Sequence, residues 1–214
     1  MKAMKIIISI TIPFFLIILF ASVLTTKPYL MLSKGKYYRH SQIEFDHDYA
    51  VDRIIGYLNY RYDDLLFGSD ENDTSIIMEE EDIVHMVDVK NVYTGLRLGA
   101  LGSLIIGVSL SVVLFKKDKI QFYKTYKFMY VGPVLFASFV GGYILIDFDT
   151  AFTVFHGILF PQGGWTLDYN SVLLQLLPTP FWMVSGFALM VLFALSMGLI
   201  YLLNEKFVKK HTLN

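Results

Sequence analysis

Four long apolar runs, residues 6–24, 96–115, 128–146 and 181–203, constrain this chain more than anything else in it. A helix needs about 20 residues to cross the hydrocarbon layer of a bilayer, and each run reaches that length. The composition agrees: 55% of the residues are hydrophobic and only 17% charged, against about 25% charged in an ordinary soluble domain. Lipid is therefore the main solvent. The fold expected is an all-α membrane protein of four transmembrane helices, forming one membrane domain over residues 1–214.

Orientation follows from the lysines, which stay on the cytoplasmic side of short loops. Lys116, Lys117, Lys119, Lys124 and Lys127 lie between the second and third runs, Lys2 and Lys5 before the first, and Lys206, Lys209 and Lys210 after the fourth. Placing all ten inside puts both termini in the cytoplasm and makes 25–95 and 147–180 external. The first run exceeds the ~7–15 residues of a signal-peptide core, so it reads as an uncleaved anchor that carries Pro13.

The external loop 25–95 holds fourteen of the nineteen acids. It is too short for a large separate core and is expected to form a mostly helical extracytoplasmic cap. Val51, Ile54, Ile55 and Leu58 recur at helical spacing, and a second helix is expected from near Ile76 through 79–92 toward Gly95. Residues 27–46 show no clear period and read as irregular or short strands. Along the second membrane helix Gly95, Gly99, Ser103, Gly107 and Ser111 place a small residue at every fourth position, a ridge for close helix approach. Packing within the chain and homodimerisation both fit it, so the oligomeric state stays open.

The chemistry is bounded first by absences. With no cysteine there is no thiolate metal site, no thioester intermediate and no lipid on the chain's own cysteine. A net charge of −1 argues against nucleic acid as a partner. The sequence has no Gly-rich phosphate loop, HExxH or Gly-x-Ser-x-Gly motif. Arg97, at an outer boundary, is the one charge within the four runs, so chemistry belongs at the outer helix ends. Asp147 and Asp149 read as helix caps rather than as a protease dyad.

Two histidines meet that condition. His85 precedes the second run by about ten residues and His156 follows the third by about ten. His40, His47 and His211 fall in polar segments and read as solvated. On a helix, Glu81, Asp82 and Asp88 share the face of His85, and a carboxylate there would fix its tautomer. His156 begins an aromatic, Gly- and Pro-bent loop, Phe155-His156-Gly157 through Phe160-Pro161-Gln162-Gly163-Gly164-Trp165 to Asp168, with Trp165 expected as an interfacial anchor. Spacing alone leaves three readings open: ordinary interfacial histidines, a catalytic pair, or a zinc site of His85, His156 and Asp168.

At these segments the chain resembles the lipoprotein intramolecular transacylase (Lit) family of bacterial membrane proteins. The resemblance rests on His85-Met86-Val87-Asp88-Val89-Lys90, on Phe155-His156 with Phe160-Pro161, Trp165 and Asp168, on Tyr57-Leu58-Asn59-Tyr60, and on the four-helix layout. It implies an acyltransferase of the cytoplasmic membrane, with its active site on the extracytoplasmic face. Its partners would be membrane lipid and a lipoprotein bearing a diacylglyceryl group on its N-terminal cysteine. The sn-2 acyl chain would move onto the cysteine α-amine, leaving a lyso-lipoprotein. Ester-to-amide transfer is downhill, so no cofactor or metal is expected. In this reading His85 is the base toward the α-ammonium, oriented by Asp82 or Asp88. His156 stabilises the oxyanion or protonates the departing glyceryl oxygen, and Arg97 steadies the substrate backbone or snorkels to headgroups. The alternatives are a zinc-dependent membrane hydrolase and a non-enzymatic assembly or sensor protein.

Overall fold

The computed structural model describes residues 1–32, 45–168 and 171–208; His40, His211 and most of the segment expected to be irregular or strand lie outside them. Among the described residues the structure is all helical, without strands. In chain order the helices are α1 (Lys2–Leu24), α2 (Lys27–Leu30), α3 (His47–Leu58), α4 (Glu80–Lys117), α5 (Lys119–Met129), α6 (Val131–Ile146), α7 (Phe148–Leu159), α8 (Val172–Leu176) and α9 (Thr179–Leu203), closed by a π-helical turn, Asn204–Val208. Four stretches are long and apolar enough to span a membrane: α1, α4, α5 with α6, and α9 with the turn.

The chain folds as two compact units. One comprises Met1–Ala21, Leu96–Ile146 and Phe187–Asn214; the other comprises Ser22–Gly95 and Asp147–Gly186.

In the first unit the small-residue ridge of α4 serves packing within the chain. A Cβ added at Gly107 would stand 2.7 Å from Ile12 Cδ1 and 2.8 Å from Thr11 Oγ1 of α1, and one at Gly99 would stand 3.6 Å from Phe14. The buried Ser111 shares a 2.7 Å hydrogen bond with Tyr126 of α5. Gly107→Val therefore crowds the Ile12 and Thr11 side chains of α1. A loss of about 1–3 kcal/mol is expected from overpacking, read as a lowered Tm of the purified chain; an unchanged Tm would show that α1 does not depend on this contact. The third apolar run breaks at Tyr130, between α5 and α6. Pro133 supplies no N–H, and its ring would clash with the carbonyl four residues back, at Met129.

In the second unit the loop expected to lack a large core shares one with the other loop. Ala50, Val51, Ile54, Tyr57 and Leu58 of α3 are buried with Leu65, Phe67, Met78 and Met86, and residues 147–186 contribute Val172, Leu173, Leu176, Leu177 and Phe181. Helix α3 starts at Asp46, whose carboxylate accepts from the N–H groups of Asp48 and Tyr49, the usual satisfaction of first-turn donors. On its polar side Asp52 accepts from Lys27, Arg61 and Tyr62. Mainly through Arg61, this holds its carboxyl down at about 2. Between α3 and α4, Gly68 is required by close approach: a Cβ there would fall 2.3 Å from the Asp73 carbonyl oxygen.

The helix expected from near Ile76 starts at Glu80 and does not stop at Gly95. It runs on as α4 for 38 residues, about 57 Å at 1.5 Å per residue. That is nearly twice the ~30 Å apolar thickness of a bilayer. The spanning part is the apolar run 96–115, so residues 80–95 project beyond it. His85 is on that projecting part.

Candidate active site

Helix α4 carries Asp82, His85, Asp88 and Lys90 in its projecting turns. His156 comes from α7, which is a helix where a Gly- and Pro-bent loop was expected. Asp147 caps α7, accepting from Thr150 N–H at 3.1 Å, as expected of a capping residue. With the helix started there, Phe152 and His156 fall one turn apart on its inner face, while Val154, Phe155 and Ile158 are exposed.

The two imidazoles, 71 residues apart in the chain, come together. Their ring centroids lie 6.2 Å apart with the planes inclined by 34°, and both residues are buried. Aromatic side chains form the walls. Phe160 meets His85 edge-on at 5.2 Å. Phe152 lies 3.8 Å from the ring of His156 and Trp165 lies 5.0 Å from it. Trp165, expected as a lipid anchor, is thus half-buried against the imidazole.

The protonation pattern follows from the partners. His156 Nδ1 is 2.8 Å from the Phe152 carbonyl oxygen. A carbonyl only accepts, so Nδ1 carries the proton and Nε2 of the neutral ring holds a lone pair. Burial pushes the pKa of His156 below the ordinary imidazole value, against the pull of that hydrogen bond. His85 is also pushed down, first by burial and then by the neighbouring His156, with the charge of Asp88 acting the other way. Neither ring nitrogen of His85 has a hydrogen-bond partner among the described residues. Both histidines are therefore neutral bases at neutral pH.

The carboxylates divide their roles. Asp82 is fully buried, and its hydrogen-bond partners are in and beside α8 rather than on His85. It accepts from the Ser171 hydroxyl and, at 3.2 Å, from Val172 N–H. Ser171 in turn caps α8 through Leu174 N–H, so Asp82 ties α4 to α8. Asp88 accepts from Gln162 Nε2 at 3.0 Å, tying α4 to the segment after α7. That segment turns at Gly163 and Gly164, whose φ values of 84° and 78° are left-handed conformations open to glycine at little cost. Of the two carboxylates expected to orient His85, Asp88 alone bears on its charge. Lys90 lies over the rings of Tyr57 and Tyr60, 3.8 and 4.3 Å from their centroids. Asp168 and Arg97 are both exposed, and Arg97 belongs to the other unit. The zinc reading lacks its geometry: among the described residues no three His, Asp or Glu side chains converge as metal ligands. Ser171, Gln162, Phe152 and Phe160 were not singled out as functional from sequence. The Ser171–Asp82 bond joins residues 89 positions apart, beyond the reach of any local pattern.

Comparison with known proteins decides the family. The family model described as lipoprotein intramolecular transacylase Lit matches residues 4–182. This chain belongs to the Lit family. The fold is also that of the membrane-integral lipoprotein intramolecular transacylase Lit from Bacillus cereus. One solved structure of that protein is 22% identical over 100% of this chain and 98% of its own, with a TM-score of 0.81. A form with a histidine replaced by alanine is 21% identical, covers 100% and 96%, and has a TM-score of 0.74. A form with a histidine replaced by arginine is 22% identical, covers 99% and 93%, and has a TM-score of 0.74. No match is found among curated proteins. Membership of Lit makes the chain a multi-pass membrane transferase acting on lipoprotein.

Proposed function

We propose that this chain transfers the sn-2 O-acyl group of a diacylglyceryl lipoprotein to the α-amine of its own N-terminal cysteine. The observation that carries this reading is the pair of buried imidazoles, 6.2 Å apart, in a Lit-family chain that has no cysteine nucleophile. The distribution of lysines supports both termini in the cytoplasm and the site on the extracytoplasmic face.

The chemistry needs two proton movements, one for each imidazole. The substrate amine starts as an ammonium, and His85 accepts one proton from it, with Asp88 favouring the resulting charge. The free amine attacks the ester carbonyl within the same molecule. Oriented intramolecular attack is worth roughly 7–11 kcal/mol of barrier. His156 Nε2 then takes the second proton from nitrogen and hands it to the departing glyceryl oxygen. The C–N bond forms, the C–O bond breaks, and one proton leaves to solvent through His85. Of the two roles expected for His156, this tautomer favours protonating the glyceryl oxygen: a neutral ring with its proton on Nδ1 offers no Nε2–H to an oxyanion.

The direct test is mass spectrometry of a lipopeptide whose sn-1 and sn-2 chains differ in isotope. The expected product carries the sn-2 label on nitrogen and the sn-1 label on oxygen. Label arriving from a second lipid molecule would refute an intramolecular transfer. The pH profile has a predicted sign. Neutral rings are the active form and both pKa values are lowered. The rate should therefore rise with pH and level off, with its acid limb centred below 6.5. A limb centred above 6.5 would contradict the protonation states assigned here.

A further inference from the structure

Away from the histidines, in the other unit, α1 and the α5–α6 segment line an open cleft of about 610 Å³. Its lining combines polar and apolar side chains. Lys5, Ser9, Gln121, Lys124 and Thr125 are polar; Ile6, Ile10, Phe128 and Pro133 are apolar; no carboxylate contributes. The Lys5 ammonium is held in place by a 3.0 Å hydrogen bond to Gln121 Oε1. Lys124 is exposed and has no partner among the described residues.

The depth of these residues argues for the occupant. On α1 the apolar run begins at Ile6, directly after Lys5. On the other wall it begins at Phe128, one turn after Lys124. Both lysines therefore stand where the hydrocarbon layer gives way to headgroups, and the apolar wall continues into it. Lys127, on the same helix as Lys124, is already engaged: it pairs with Glu205 at 3.7 Å, and Glu205 also accepts from Tyr123.

We infer that this cleft binds one anionic phospholipid, its phosphate held between Lys5 and Lys124 and an acyl chain laid along Ile6, Ile10 and Phe128. Two cations without a lining carboxylate select negative charge, and basic pockets between membrane helices bind anionic headgroups for this reason. The site is separate from the histidine pair, so it stands whether or not the acyl-transfer reading holds.

The test is thermal unfolding of the purified full chain in detergent micelles with added phosphatidylglycerol, phosphatidylcholine or inorganic phosphate. Phosphatidylglycerol is expected to raise the Tm saturably, since a ligand that binds only the folded state stabilises it. Phosphatidylcholine and inorganic phosphate are expected to have little effect. Each lysine contributes about fivefold to affinity, so K5Q/K124Q should weaken phosphatidylglycerol binding about 25-fold. Gly132 lines the cleft, and a Cβ added there meets nothing within 4 Å. G132F should thus fill the cleft, keep the charges and abolish the response. Equal shifts from both lipids, a full shift from phosphate alone, or an undiminished response in K124Q and G132F would overturn the assignment.

Discussion

Replacing either His85 or His156 with alanine should slow formation of the N-acyl lipopeptide by about 10²–10⁴-fold, the range for a positioned proton-transfer group. The loss should not be total, because the substrate still brings amine and ester together and keeps the proximity contribution. The measurement is the initial rate of N-acylation of a diacylglyceryl lipopeptide in membranes holding equal amounts of each variant. The two variants should differ at alkaline pH. There the substrate amine loses its first proton without help, so His85→Ala recovers part of its rate. His156→Ala does not, because the leaving oxygen still needs a proton. An alkaline recovery in His156→Ala instead would reverse the two roles.

The second large effect is structural. Asp82, Ser171 and Val172 are all buried, and removing the carboxylate leaves the Ser171 O–H donor and the Val172 N–H unsatisfied. Each unsatisfied group costs about 1–3 kcal/mol, so Asp82→Ala should destabilise the chain by about 3 kcal/mol. Asp82→Asn should be milder, because its amide can donate to the serine and accept from the valine N–H. Comparing Tm values and hydrogen exchange at residues 171–177 checks both statements. A stable Asp82→Ala chain, or an asparagine variant worse than alanine, would remove Asp82 from its structural role.

That carboxylate also marks how far the sequence could be read. The four spans were legible because about 20 apolar residues have few other uses. The convergence of His85 and His156 was legible because each lies about ten residues from a span on the same side. Helix α3 was legible from its period, with Val51, Ile54 and Leu58 all buried. The partner of Asp82 was not, since helical spacing pairs it with His85 and only the tertiary fold brings Ser171 to it. Helix α7 was hidden by the aromatic and glycine content around His156, although Asp147 and Thr150 carried a capping signal. The break at Tyr130 had a signal in Pro133, masked by the apolar run around it.

The central claim is that two remote imidazoles serve one reaction in one site. A double-mutant cycle on the rate of N-acylation, using His85→Ala, His156→Ala and the pair, tests it most directly. Groups that act as a unit are strongly non-additive, so the double variant should be little slower than the worse single one. Losses that simply multiply, with each histidine contributing independently of the other, would contradict the account.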